Sequence, residues 1–376
     1  MDMQTKGGDY IFSFVEFRQI SELDRSHPII AAQFPSINFS LVQSCPDIED
    51  DFPVLAYLAT QSGNIASYLM FIPDQLYYKS NTYRLAWAGS LFTSPDYRSK
   101  GLATVLIHNI TAILHARGIA WAGVFSTEIA LRIYRKLGFV VPGYARRYLA
   151  LKSARPFLMA HWPKIPVETF AKHVSDPILK SFYQYTVMKR RYRTTNVKCI
   201  AASMLDLRIQ KELFPKYINH TRFHFRNDFE KVRWKVDRIS LREGNECELY
   251  ILFDTISSKP LGYFVTRLRH QSAPLASRYK NFWLMTLMDY GTINDQLYGQ
   301  ILHESMSLFL KSRAEIFEII SNSKEVAKVA RSFGLVAVGK GMSFKFSLPA
   351  HWRITEEYAE LDSWPLTHFC GDGFTL

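Results

Sequence analysis

The chain of 376 residues is 48% hydrophobic, 14% aromatic and 21% charged, which excludes a disordered or low-complexity protein and provides enough apolar mass for two domains. Its net charge of +12 is uneven: residues 152–193 hold nine basic against two acidic groups, whereas residues 1–151 hold 13 against 12. No recognised nucleic-acid motif accompanies the basic stretch, so it reads as a solvated face or as an aid in attracting an anionic cosubstrate, and no nucleic-acid partner is expected.

Cys45, Cys199, Cys247 and Cys370 are widely separated, without the spacing of a metal site, which points to inert thiols in a reduced setting. No apolar leader and no run of membrane-spanning length is visible, so a cytoplasmic protein without a membrane partner is expected. Residues 10–17 alternate as an opening strand, and residues 19–25 have helical character. Residues 44–53 form an acidic break, within which Asp47 to Asp51 is expected to be a solvated loop. Residues 54–60 and 65–72 flank Gln61-Ser62-Gly63-Asn64 and predict a hairpin that stops at Pro73.

Residues 84–93 predict the next strand, with Pro95 as its stop. Residues 101–117 follow as a helix, with Leu102, Leu106, Ile110, Ile113 and Leu114 on one stripe and Gly118 as its C-terminal stop. A short strand (119–125), a short helix (128–137) and a strand (148–151) complete the unit. Strands alternating with helices imply an α/β fold with a mixed sheet. At its centre, Arg98-Ser99-Lys100-Gly101-Leu102-Ala103 joins a strand to a helix. The first amides of a helix have no internal partner and sit at the positive end of its dipole, so this turn is a phosphate pocket in waiting.

Residues 152–200 read as a basic connector punctuated by Pro156, Pro163, Pro166 and Pro177, with a helix over 178–191. Residues 206–225 and 227–236 are helical or mixed. A strand pair (248–253, 262–268), a strand (282–288), a helix (295–311), a strand (316–320), a helix (326–333) and a strand (342–348) follow. That order repeats the first half, so the chain divides into a first domain at 1–151, the connector, and a second domain at 201–376. The tail beyond residue 352 is expected to lie across the second domain. His220 and His224 have i,i+4 spacing but no HExxH glutamate, and no metal is expected. Tyr77, Tyr78 and Tyr83 are either the mouth of a substrate site or strand-surface aromatics.

With these residues in view, the first half resembles the GNAT superfamily of acyl-CoA-dependent N-acyltransferases. Arg98, Gly101 and Ala103 match the superfamily's Gln/Arg-x-x-Gly-x-Gly/Ala motif. Ala130 to Phe139 resembles its short helix, with Tyr134 four positions before the Gly138-Phe139 step. The resemblance covers residues 10–151. The second half resembles the same fold without the motif, since its turn reads Asp289-Tyr290-Gly291-Thr292-Ile293-Asn294, and it is expected to have lost cofactor binding. The tandem layout is similar, more loosely, to bacterial GNAT proteins of surface-polysaccharide clusters.

The resemblance implies two GNAT-like domains, each a mixed twisted sheet flanked by helices, with acetyl-CoA as cosubstrate. The amides of Ser99, Lys100, Gly101, Leu102, Ala103 and Thr104 would hold its pyrophosphate, helped by the charge of Arg98 and Lys100. The strand Leu91-Phe92-Thr93 would run beside the pantetheine arm, and an amide there would bind the thioester oxygen. Tyr134 is implied as the acid that protonates the thiolate. The strand that often carries a glutamate base in this superfamily has no carboxylate here, which leaves Glu128, His108 or a water chain.

The expected reaction is acetyl transfer to a primary amine, an amino sugar or its nucleotide conjugate, or alternatively a peptide or protein amine. A non-catalytic acyl-CoA-binding protein is the reading from a different class. The second domain is expected to shape the acceptor cleft or a homodimer interface.

Overall fold

A computed structural model of the protein describes residues 3–4, 9–20, 42, 44–79, 81–161, 167–189, 196–215, 223–272, 281–352, 359–361 and 364–370. The first half contains β1 (Met3–Gln4), β2 (Tyr10–Glu16), β3 (Pro53–Thr60), β4 (Ile65–Tyr78), β5 (Asn81–Thr93), α1 (Leu102–Ala116), β6 (Ile119–Val124), α2 (Glu128–Lys136) and β7 (Val140–Leu151). Between the halves lie α3 (Arg155–His161), α4 (Val167–Phe170) and α5 (Asp176–Lys189), the last two joined by a π-helical turn, Ala171–Ser175. The second half contains β8 (Val197–Ala201), α6 (Leu207–Leu213), β9 (Phe223–Phe225), α7 (Phe229–Ser240), β10 (Asn245–Asp254), β11 (Pro260–Gln271), β12 (Phe282–Thr292), α8 (Tyr298–Lys311), β13 (Ile316–Ser321), α9 (Lys324–Ser332) and β14 (Val336–Ser347). No described helix is long and apolar enough to cross a membrane.

All these strands join one mixed sheet, in the order β1-β2-β3-β4-β5-β6-β14-β7-β13-β12-β11-β10-β8, with β9 added beside β4. Each half has one parallel pair, β5 with β6 and β12 with β13. The final strands are exchanged. β14 of the second half pairs with β6, and β7 of the first half pairs with β13, while β7 and β14 pair antiparallel in the middle. A cut after residue 151 would therefore leave β7 bound on both sides to strands of the other half.

The packing follows the apolar pattern. Helix α1 buries Leu102, Leu106, Ile107, Ile110 and Leu114 against the first half of the sheet. Helices α8 and α9 cover the second half in the same manner, and α5 adds Tyr183 and Val187 to that core. Residues 155–161 and 167–189 of the expected connector are thus helical, and these described parts are no bare linker. The opposite face is shared by both halves: one cluster unites Trp87, Ala122 and Phe344 with Trp234, Tyr263, Met288 and Trp364. The described part of the tail, residues 364–370, sits in that shared seam.

Several sequence expectations change. The strand predicted to stop at Pro73 continues to Tyr78. The last pair of β3 with β4 is Leu55 with Met70, so Pro73 lies past the end of β3 and its missing N–H costs no ladder bond there. Asp47 is no solvated residue: its side chain is 1% exposed and pairs with Lys231 and, at 2.7 Å, with Arg226. Residues 206–225, expected to be helical or mixed, are mixed: α6 comes first and strand β9 ends the stretch. His224 is therefore on a strand, stacked on Tyr77 at 4.9 Å, and the helical histidine pair does not form; His220 lies outside the described residues. Tyr78 stacks on Phe223 at 4.5 Å and Tyr83 lies against Trp352 at 4.3 Å, so all three tyrosines serve contacts between the halves. At the N-terminus, residues 17–19 form a 3-10 turn, and the rest of the helix expected at 19–25 lies almost wholly outside the described residues.

Candidate active site

Strands β5 and β6 run parallel from Arg84 opposite Ile119 to Ala88 opposite Gly123, and no ladder pair joins them beyond that point. Strand β5 carries on to Thr93, while Phe125, just past β6, donates instead to Ser343 of β14 at 3.2 Å. The two strands part and open a wedge. A β-bulge lies at the same place: Met70 faces Gly89 and Tyr68 faces Phe92, which puts two residues of β5 against one of β4, with Ser90 at φ +52°. A bulge re-aims backbone groups, here on the strand that borders the wedge. Leu91, Phe92 and Thr93 follow, held on the far side by Ser67, whose hydroxyl donates to Phe92 O at 2.9 Å.

Beyond Thr93 a 3-10 turn (Pro95–Tyr97) leads to the hexapeptide. Arg98 Nε donates back to Thr93 O at 3.2 Å, which fixes the exit from the strand. Ser99 and Gly101 both take left-handed conformations, φ +65° and +74°. Alternating left- and right-handed residues turn successive amides to one side, the arrangement of an anion nest. Gly101 is the N-cap of α1 and supplies no side chain to cap it. A Cβ on Gly101 would meet nothing within 4 Å, so the space before the helix end is open. The amides of Ser99 to Ala103 are therefore at hand for an anion, with Lys100 stacked over Tyr97 at 5.3 Å beside them; contrary to the sequence expectation, Thr104 N is taken, since it donates to Gly101 O at 3.0 Å. The turn thus offers free amides and open space at the positive end of α1.

Helix α2 starts beyond the other lip of the wedge. Thr127 caps it, accepting from Ala130 N at 3.3 Å. Tyr134 is 2% exposed and meets Trp121 at 5.7 Å and Phe139 at 5.0 Å edge-on, so it faces the sheet. Lys345 of β14 lies over its ring with Nζ 4.4 Å from the centroid. Glu128, the first residue of α2, is exposed and accepts from Tyr144 Oη at 2.5 Å. His108 is exposed on α1. Sequence reasoning missed Lys345, Ser126 and Ser343, because β14 reaches the site from more than 200 residues downstream.

In the second half, β12 and β13 part beyond Leu287 opposite Ile319, again with a bulge in β12 just beyond. No left-handed nest precedes α8: Asn294 accepts from Gln296 N at 3.0 Å, and α8 begins after a short 3-10 turn. A cleft of about 350 Å³ opens here, lined by Asp74, Arg226, Lys235, Asp289, Lys324 and Thr367 among others. Asp289 accepts from Tyr263 Oη at 2.7 Å and from Thr367 Oγ1 at 2.8 Å, and burial pushes its carboxyl up. No cluster of three or more His, Cys, Asp or Glu suited to a metal occurs among the described residues.

The model of the acetyltransferase (GNAT) family matches residues 18–139. No curated protein sequence matches the chain. Saccharomyces cerevisiae N-myristoyltransferase with bound myristoyl-CoA has a similar structure, with a TM-score of 0.56 at 10% identity over 92% of this chain and 80% of that one. A probable N-acyltransferase from Enterococcus faecalis V583 gives 0.54 at 11% identity, over 89% and 71%. A GCN5-related N-acetyltransferase from Anabaena variabilis ATCC 29413 gives 0.50 at 12% identity, over 90% and 73%. At such identities the likeness is one of fold, and it extends across both halves.

Proposed function

We propose, from the match of residues 18–139 to the GNAT acetyltransferase family model, that the protein transfers an acetyl group from acetyl-CoA to a primary amine, with one active site per chain in the first half. The observation that carries this reading is the conjunction at the end of β5: strands that part, a bulge at Ser90, and a left-handed nest at Ser99 and Gly101 before an uncapped helix. The second half has the first two features and lacks the third, which supports a single site.

The cosubstrate supplies the thioester. Amides of Ser99 to Ala103, with Arg98 and Lys100, bind its pyrophosphate. Leu91, Phe92 and Thr93 line the arm, and a backbone N–H at the bulge supports the oxyanion. Tyr134 gives a proton to the sulfur that leaves. Glu128 receives the proton of the attacking amine through water, since its carboxylate is already engaged by Tyr144. Among acceptors we favour an amino sugar or its nucleotide conjugate. The cleft of the second half carries charged and amide side chains, among them Asp74, Arg226, Asn227, Lys235 and Asn322, in keeping with a hydroxyl-rich acceptor.

The test is a mass-spectrometric screen of amino sugars, nucleotide amino sugars and peptides, each with acetyl-CoA and with longer acyl-CoAs. Acetylation of an amino sugar above the peptide controls is expected. Transfer confined to peptides, or only from a long acyl-CoA, overturns the acceptor or donor assignment. Tight acetyl-CoA binding with no transfer to any amine favours a non-catalytic acyl-CoA-binding protein.

A further inference from the structure

Strand β14 brings a lysine of the second half into the first. Lys345 is registered opposite Gly123 of β6 and is 2% exposed. Its ammonium donates to Ser126 Oγ and lies 4.4 Å from the centroid of the Tyr134 ring. The room it fills exists because residue 123 has no side chain: a Cβ there would lie 2.5 Å from Lys345 Nζ and 3.0 Å from its Cε.

Burying an ammonium is costly unless polar atoms and a π face compensate. Packing alone does not require it here, because Phe344 and Phe346 on either side fill their face of the same strand with apolar rings. Three features therefore converge on one charge: the hydroxyl that accepts from it, the ring beneath it and the glycine that makes way for it.

We propose that Lys345 is a positioning residue of the acyl-transfer site, holding Tyr134 and Ser126 in place and stabilising the phenolate that Tyr134 becomes. The inference rests on the reading of Tyr134 as general acid. In the step, the amine nitrogen bonds to the thioester carbonyl carbon, and the carbon–sulfur bond breaks with its electron pair going to sulfur. The Tyr134 hydroxyl proton passes to that sulfur, and the surplus proton on nitrogen leaves to the base or to water. Lys345 stays protonated, and its charge balances the phenolate. The ammonium, 4.4 Å from the ring centroid, favours the ionised form of the phenol.

Other titratable groups on the surrounding elements are directed elsewhere. Glu128 is held by Tyr144, Arg132, Arg135 and Lys136 lie on the exposed side of α2, and β6 has no ionisable side chain. On α1, His108 is exposed and His115 lies 3.2 Å from the Ser347 hydroxyl. On β7, Arg146 is exposed and Arg147 pairs with Glu318.

Lys345→Ala and Gly123→Ala, singly and together, test the proposal. The tyrosinate difference absorbance of each protein, read against the same protein carrying Tyr134→Phe, gives the titration of Tyr134 without any substrate. In Lys345→Ala that titration is expected to rise by about one to two pH units, with the alkaline limb of kcat rising alongside. We expect kcat to fall about 10-fold while KM for acyl-CoA changes less than about twofold. Gly123→Ala, which displaces the ammonium, should act likewise, and should add nothing in the Lys345→Ala background, where the space is vacated. Should Lys345→Ala fail to fold, Lys345→Met keeps the stem and repeats the titration.

An unmoved Tyr134 titration in the folded variant overturns the proposal, even if kcat falls. Unchanged kcat in Tyr134→Phe overturns the general-acid reading instead, and in that event the titration alone decides whether Lys345 tunes the phenol.

Discussion

Tyr134 and Gly101 place opposite demands on their surroundings. In the proposed mechanism Tyr134 acts through its hydroxyl, and the ring that carries it is locked between Trp121 and Phe139. Tyr134→Phe keeps that packing and removes the proton, so kcat should fall roughly 10²-fold with KM for acyl-CoA nearly unchanged. A steady-state comparison of the two proteins with equal thermal stability checks this, and equal kcat would remove Tyr134 from the chemistry. Gly101 acts through its backbone. Since a Cβ there meets no neighbour, Gly101→Ala acts only through its left-handed φ of +74°. The expected cost is about 1 kcal/mol of stability, with a loss of acyl-CoA affinity as the nest reshapes. Titration calorimetry with the acyl-CoA, beside a denaturant melt, separates the two effects. Gly63→Ala, also at positive φ and in open space, should lose stability to a similar degree and leave affinity untouched.

Among the elements, the exchanged strands β7 and β14 make the tightest seam. At Gly341 a Cβ would fall 1.8 Å from Ala145 O and 2.9 Å from Arg147 N. No side chain fits, so Gly341→Ala should cost more than about 3 kcal/mol, seen as a lowered denaturant midpoint. If the substituted protein were as stable as the parent, the two strands would not be in contact there. Next to this seam, Arg147 of β7 pairs with the buried Glu318 of β13 at 2.7 Å. Burial pushes the Glu318 carboxyl up, but His368, 3.3 Å away, and the Arg147 guanidinium outweigh it and hold the group well below the usual carboxylate range. Its stabilising effect is therefore complete above the ordinary glutamate pKa and is lost as pH falls below it. Glu318→Gln should flatten the decline in stability between about pH 5 and pH 3, measured by denaturant midpoints; an unaltered decline would assign acid sensitivity to other carboxylates.

Local signals made the first of these elements easy to read. The apolar stripe of α1, the glycine turn before it and the Gly138-Phe139 step are each contained in a few residues, because helix periodicity and turn chemistry are local. The neighbour of β6 was not legible, since strand pairing depends on contacts that sequence spacing does not encode. A strand reading Phe344-Lys345-Phe346 looks half-solvated by its alternation, yet Lys345 is 2% exposed. Only the full sheet shows that its polar side turns towards a glycine and a tyrosine. For the same reason Asp47 reads as loop: the cations that bury it, Arg226 and Lys231, lie about 180 residues away.

At the scale of the molecule, the sheet runs unbroken across both halves, and the face shared by Trp87, Trp234, Tyr263 and Trp364 ties them together. Unfolding is expected to be one cooperative transition, with fluorescence and circular dichroism melting together. Residues 1–151 expressed alone should not reach a native fold, because β6 and β7 would lack the strand that lies between them. Mixing that fragment with residues 152–376 should restore acyl-CoA binding; a folded, acyl-CoA-binding first fragment would show that the exchange is dispensable.

The exchange also sets a schedule for synthesis. On a ribosome the first half emerges with its place for β14 unfilled, and roughly 200 more residues must follow before Ser347 appears. At about 5–20 residues per second that is a wait of about 10–40 s. During that wait the facing edges of β6 and β7 stand open beside the proposed acyl-transfer site, a template for any passing strand. Yield in a cell should therefore depend on translation speed and on chaperone supply more steeply than the stability of the finished protein would suggest.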